Sequence, residues 1–255
     1  MCGRFALTSM PGDLVEEFAI TGGFHGVELP ADWNIAPTKE IYAIRVSDRG
    51  RELINLSWGL IAPWSKDSTE ALRSQSMAIN ARTESVDEKP TFRNAFRSRR
   101  CLVPATGYYE WATELGQYES KQPFYIHSGA TYLDGRSGQR CSKSLAFAGI
   151  FDRWVDERGE VHESAAIITR EAVGELATVH HRMPTFLPED RWDAWLDPSI
   201  KEVSAIREIM NLEGSGHTPD ENLIIEPVSK LVNSTRNNGP ELIKAIELGE
   251  SQTLF

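Results

Sequence analysis

IYAIRVS (residues 41–47) and ELINLSWGLIA (residues 52–62) read as two β-strands, rich in Ile, Leu and aromatic side chains. Outward from this pair, CLVPATGYYEWA (101–112), PFYIHS (123–128), SLAFAGIFDRWV (144–155) and SAAIITR (164–170) give further strands at hairpin-like spacing. LIIEPVS (223–229) supplies a last strand, and TYLDGRSGQRCSKS (131–144) reads as a polar, Gly-containing loop or insertion. Helices are fewer. SMPGDLVEEFAI (9–20) predicts a short one, with Ser9 as its cap and Leu14, Val15 and Phe18 on one face. LPEDRWDAWLD (187–197) starts another with Pro188 in its first turn, and SIKEVSAIREIMNLEG (199–214) continues helically to Gly214. Many short strands with peripheral helices predict an α+β fold: a single domain with a mixed, barrel-like β-sheet. No linker divides the chain, so the domain is expected over 1–242, with 243–255 as a C-terminal tail.

Composition narrows the function classes. Across 255 residues, 40% hydrophobic and 25% charged side chains are ordinary globular values. The longest apolar runs, such as LAFAGIF from Leu145, are too short to span a bilayer, and the N-terminus has no signal-like region. A soluble protein is expected, cytoplasmic (nucleoid-associated) or nuclear, and monomeric. Cys2, Cys101 and Cys141 share no CxxC spacing, which speaks against a disulfide scaffold or structural zinc. Adjacent His180 and His181, if on a strand, point to opposite faces and make no metal signature. The formal net charge of -10 argues against nonspecific coating of nucleic acid, yet leaves room for a local basic groove. FRNAFRSRR (92–100) is such a place, with Arg93, Arg97, Arg99 and Arg100 and no acid among them. Its alternatives are a solvated helix face or phosphate contact, and the second suits a cluster in an otherwise acidic chain. Trp64, with Pro63, would make a wedge or stacking platform for bases.

The N-terminus carries the sharpest chemical signal. MCGRF places Cys2 directly behind Met1, so removal of Met1 would leave an α-amine and a thiol on adjacent carbons. The α-amino pKa is about 7.7–8.0 against about 10.4 for lysine, so roughly a third of such amines are neutral near pH 7.5. Only a neutral amine condenses with an aldehyde, and the thiol can then close a five-membered ring on the imine. Acid–base help for loss of water fits Glu110, a carboxyl between aromatics, and His180 suits proton transfer near neutrality. Nothing here requires a metal or cofactor.

Taken in order, MCGRF, N-x-A-P-T at Asn34, W-G-x-x-A-P-W at Trp58, I-N-A-R-x-E at Ile79, G-Y-Y-E-W at Gly107, H-x-R-x-P at His180, and P-V-S at Pro227 resemble one family. It is the SOS response-associated peptidase (SRAP) family of abasic-site-crosslinking proteins, and the likeness runs from Cys2 to about Leu242. The resemblance implies a mixed α/β domain that binds single-stranded DNA and shields an abasic site through a thiazolidine crosslink to Cys2. It implies that Asn80 holds the amine and sugar, and that Glu110 and His180 serve Schiff-base and ring-opening chemistry. Arg82 and Arg4 would contact phosphates, with Arg182, Arg97 and Arg100 as further DNA-binding candidates. Self-removal of Met1 (autopeptidase) and a lyase activity would accompany the crosslinking. The alternatives are a cysteine hydrolase using Cys2 and His180, and a noncatalytic module for single-stranded DNA. The ending SQTLF (251–255) resembles sliding-clamp-binding peptides, with a frayed terminus as its alternative.

Overall fold

The computed structural model describes residues 2–113, 121–133, 140–211 and 222–248. In chain order its strands begin with β1 (Phe5–Leu7), β2 (Gly23–His25), β3 (Asp32–Ile35), β4 (Glu40–Ser47) and β5 (Gly50–Trp58). Next come β6 (Asn80–Arg82), β7 (Arg100–Ala105), β8 (Gly107–Trp111), β9 (Pro123–Ser128) and β10 (Thr131–Leu133). The last five are β11 (Arg140–Ser142), β12 (Leu145–Val155), β13 (Val161–Glu171), β14 (Arg182–Pro184) and β15 (Leu223–Pro227). Six α-helices lie between them: α1 (Pro11–Glu17), α2 (Ser68–Met77), α3 (Pro90–Ser98), α4 (Leu176–Val179), α5 (Trp192–Leu196) and α6 (Val203–Met210).

The barrel closes through β13. Strands run β13–β12–β7–β4–β5 by antiparallel pairing, and β5 then meets β13 in parallel, Ser57 opposite Ser164 and Trp58 opposite Ala165. Beyond that contact β6 takes over the same edge of β13, with Asn80 opposite Ile167. Gly59 makes the handover possible. Its φ of +113° lies in the region that side chains disfavour, and a Cβ there would sit 2.4 Å from the Gln75 carbonyl oxygen. The chain leaves for α2 after Gly59 donates to Ala165 O and returns where Ile167 donates to Ile79 O.

A second sheet, ordered β15–β9–β8–β1–β3, covers the barrel. Phe5 of β1 packs edge-on against Trp58 and Phe147 of the barrel, at 5.0 and 6.1 Å between ring centroids. The core between the layers is therefore aromatic, and burial of each such ring contributes on the order of 2–3 kcal/mol. The mixed, barrel-like sheet with peripheral helices is the architecture expected from the sequence.

Several local expectations are corrected. The first helix is capped at Met10, whose N–H donates to Asp13, and not at Ser9. Pro188 precedes a 3₁₀ turn (Glu189–Arg191) that leads into α5. The next helix ends at Met210, and the expected continuation over 212–214 falls outside the described residues. The 131–144 stretch is partly a hairpin of β10 and β11, with 134–139 outside the described residues. Asn34, of the N-x-A-P-T motif, lies in β3. Packing continues past 242, since Ala245 bridges Val228 and Ile246 donates to Pro227 O. SQTLF lies outside the described residues. Among the described residues no helix is long and apolar enough to cross a membrane.

α3 shows how local amphipathicity decides which basic residues reach solvent. Phe92, Ala95 and Phe96 are buried at i, i+3, i+4 spacing, which leaves Arg93, Asn94 and Arg97 outside. Arg100, at the start of β7, turns inward. Its guanidinium donates to Trp195 O (2.6 Å), Phe96 O (3.0 Å), Arg97 O (2.9 Å) and Asp197 O, and lies over the Trp195 ring. The DNA-contact expectation for Arg100 is thus corrected: it ties α3, α5 and β7 together. Arg100→Ala leaves these carbonyls without their donor and is expected to cost at least about 3 kcal/mol in chemical denaturation. A loss below about 1 kcal/mol would contradict this role.

Candidate active site

The ladder that positions Cys2 runs between β1 and β8. Phe5 pairs with Tyr108 and Ala6 with Gly107, and Tyr109 donates to Arg4 O at 2.9 Å. Continuing this antiparallel register towards the terminus sets Gly3 opposite Glu110, and Cys2, the next residue, lies close enough for the Glu110 charge to act on its thiol. On the other edge of β8, Gly107 leaves room for the Tyr125 side chain of β9, because a Cβ would fall 2.4 Å from that ring. Cys2 is fully buried, and its sulfur accepts the Arg4 backbone N–H. Burial, reinforced by the Glu110 charge, pushes the thiol far above the ordinary cysteine range.

Asn80 opens β6, and its Nδ2 donates to Cys2 O at 2.7 Å. Its Oδ1 is buried and has no hydrogen-bond partner among the described residues. A neutral acceptor is therefore held beside the backbone of Cys2. Glu110, on β8, is 4% exposed, and burial raises its carboxyl to about 7. His180 follows α4 and places Nδ1 3.9 Å from Glu110 Oε2. The sequence thus brings together Cys2, Asn80, Glu110 and His180 from four separate segments.

The protonation states correct one expectation. Burial lowers His180 to about 4, so it is neutral at physiological pH and does not titrate there. Its Nδ1 lies 3.0 Å from the Arg182 backbone nitrogen and 3.3 Å from Arg182 O, and the shorter contact, in which Nδ1 accepts, favours the tautomer with the ring proton on Nε2. Glu110, near 7, is the group poised to exchange a proton at neutrality. A Cys–His hydrolase needs a depressed thiol beside an imidazolium, and here the thiol is raised and the imidazole neutral. The electrostatics therefore disfavour the hydrolase reading. His181 also departs from the opposite-face expectation: it is exposed, off any strand, and stacks on His180 with ring centroids 4.4 Å apart.

The expected DNA-contact residues divide. Arg82 is exposed and forms no salt bridge among the described residues; Pro63 and Trp64 are also exposed, Trp64 at 51%. Arg97 is exposed on α3. Arg4 is half-buried and donates through Nη1 to Asn34 Oδ1 (2.7 Å) and Val232 O (3.0 Å), with its guanidinium over Trp111. Arg182 is buried and holds Glu84 through both terminal nitrogens, at 2.6 and 3.0 Å, while also donating to Thr169 O. That pairing differs from the free cation a phosphate contact asks for; in this structure Arg182 braces β13 against the turn after β6.

Sequence reasoning missed the anchor beneath Arg4. Asn34 is fully buried and its Nδ2 faces the carbonyls of Val232, Ser234 and Asn237, fixing residues 232–237 beside β1. The N-x-A-P-T motif was the available signal. Glu84, the carboxylate of I-N-A-R-x-E, was likewise unassigned.

The SOS response associated peptidase (SRAP) family model matches residues 1–235. The abasic site processing protein YoaM of Bacillus subtilis is 33% identical over 245 residues, covering 96% of this chain and 98% of that protein. The abasic site processing protein HMCES of Gallus gallus is 35% identical over 209 residues, covering 78% of this chain and 59% of that one. A crystal structure of a protein from Bacteroides thetaiotaomicron superimposes with a TM-score of 0.76 at 24% identity, covering 96% of this chain and all of that one, a likeness of fold. Together with the four-residue site at Cys2, the match over residues 1–235 places this chain in the SRAP family.

Proposed function

We propose that the protein processes abasic sites in DNA, binding single-stranded DNA and joining the lesion covalently to Cys2 after Met1 is removed. The observation that carries this reading is the convergence of Asn80 and Glu110 on Cys2, with His180 against Glu110. The names of its relatives in Bacillus subtilis and Gallus gallus support the same substrate.

In the open-chain form the abasic sugar presents an aldehyde. The Cys2 amine adds to its carbon, and the resulting carbinolamine loses water to give an imine. The Cys2 thiol then adds across that C=N bond, its proton passing to nitrogen, and a thiazolidine closes with no oxidant or reductant. Asn80 Oδ1, buried and facing this backbone, accepts an amine N–H and so aims the lone pair. Glu110 donates the proton that lets water depart and takes it back for the reverse step. His180, a neutral Nε2–H donor, holds the sugar oxygen as its ring opens. Arg82 contacts a flanking phosphate, and Trp64 with Pro63 stacks on a neighbouring base. The chain also removes its own Met1 by hydrolysis, water adding to the Met1 carbonyl carbon while Glu110 protonates the departing Cys2 nitrogen, and cleaves the strand by β-elimination when an imine forms without ring closure. It works as a monomer, and the SQTLF tail is a candidate sliding-clamp ligand.

The test compares abasic and undamaged oligonucleotides on denaturing gels. The expected result is a slow-migrating species with abasic DNA alone. Binding to both strands with no covalent species would leave only a DNA-binding module, and binding to neither would reject the reading.

A further inference from the structure

α3 ends in a shallow concavity of about 390 Å³, lined by Asn94, Arg97, Ser98, Arg99 and Lys201. Two segments distant in sequence build it. Arg97 and Asn94 stand on the exposed face of α3, whereas Lys201 arrives from the turn before α6. Arg99 is fixed by Asp152 at 2.7 Å, so that charge is already neutralised and its guanidinium held in place. Arg97 and Lys201 have no carboxylate within salt-bridge distance among the described residues, although Glu202 is exposed next to Lys201. One cation in the last turn of a helix complements its dipole, an effect of only about 0.3–1 kcal/mol. A second unpaired cation from another segment, beside it in the same concavity, is repelled and needs a different explanation.

We infer that this concavity is a phosphate-binding site for the DNA backbone, separate from the Cys2 centre, with Arg97 and Lys201 as its cations and the Asn94 amide as a neutral donor; the Ser98 hydroxyl is already given to Asn94 O at 3.0 Å. The partner follows from charge. A chain of net charge -10 repels DNA at long range, and a local pair of cations with an amide donor offsets that repulsion at one place. Contacts to phosphate carry no base information, so the site adds affinity and orientation without sequence preference. The choice of DNA rests on the lesion-processing reading above; the anion chemistry does not.

The experiment measures binding of undamaged single strands by fluorescence anisotropy across a salt series, with crosslinking of abasic strands scored separately. Arg97→Ala with Lys201→Ala is compared with wild type and with a control pair, Arg49→Ala with Arg158→Ala, two exposed arginines outside this concavity. Each lost phosphate contact lowers the slope of log K against log salt by about 0.7 on single strands, so the α3 pair should lower it by about 1.4. Between 50 and 200 mM salt that difference changes the wild-type-to-variant affinity ratio about sevenfold. The control pair should leave the slope close to wild type, and Arg97→Glu with Lys201→Glu should weaken binding further. Equal slopes for both pairs would overturn the proposal. So would saturable binding of inorganic phosphate, lost in the α3 pair, with an unchanged DNA slope, because the site would then serve a free anion. A lowered slope in a protein that never crosslinks abasic DNA would reject the proposed chemistry and keep this site.

Discussion

Protein that retains Met1, or carries any residue ahead of Cys2, is expected to form no covalent adduct with abasic DNA. Its Cys2 nitrogen is then an amide, whose lone pair is delocalised into the carbonyl and does not form imines. The thiol alone does not rescue the reaction, since burial and Glu110 hold it protonated. Trimmed Cys2→Ser and Cys2→Ala separate the two functional groups. Each keeps an α-amine that is partly neutral near pH 7.5, so the imine still forms, but no ring closes. The expected outcome is little adduct on a denaturing gel, an adduct trapped by borohydride, and slow strand cleavage by β-elimination. Full-yield crosslinking by a Met1-blocked protein would place the nucleophile elsewhere and remove Cys2 from the mechanism.

How much of this was readable depends on strand length and on the range of the contacts. The long strands β4, β5, β12 and β13 carry enough Ile, Leu and aromatic residues to be recognised, and each overlaps its expected stretch, although β5 ends at Trp58 and not at Ala62. β1, β2, β6 and β14 have three residues each, too few for a period-2 pattern, and exist because neighbouring edges are waiting for them. α2 escaped notice because it buries only Ala71 and Gln75 and has no apolar stripe. Barrel closure rests on a parallel contact between β5 and β13, a pairing that no local pattern encodes.

The site divides in the same way. Residue types with distinctive chemistry, Cys2, Asn80, Glu110 and His180, were legible because motif and reactivity agreed. The arginines were not, since a charged side chain looks alike whether it faces water or carbonyls. Arg97 and Arg100 sit three residues apart, yet the helix ends between them, sending one to solvent and the other into four main-chain oxygens. His180 misled for a related reason: its type implies titration near 6.5, and its burial removes that.

Glu110→Gln is expected to slow crosslinking by about 10²–10⁴-fold and to change the shape of its pH profile. The reactive form needs a neutral Cys2 amine and a protonated Glu110, one proton shared between a group near 7.7–8.0 and one near 7. Wild-type crosslinking should therefore follow a bell with its maximum near neutrality. The acid limb reports the amine and the alkaline limb the carboxyl. Gln cannot lose a proton, so the alkaline limb should vanish and the residual rate should climb to a plateau with the amine alone. Stability supplies a second readout with a definite sign. A carboxyl raised from 4.5 to about 7 in the folded state resists ionisation there, so its contribution is fully present below pH 4.5 and lost as pH rises through 7. That loss is on the order of 3 kcal/mol in wild type and absent in Glu110→Gln, which should therefore gain relative stability between pH 5 and pH 8. A variant that crosslinks at the wild-type rate with the same bell would remove Glu110 from proton transfer. A variant that is slow but keeps both limbs would leave it a structural role, with the alkaline limb belonging to another group.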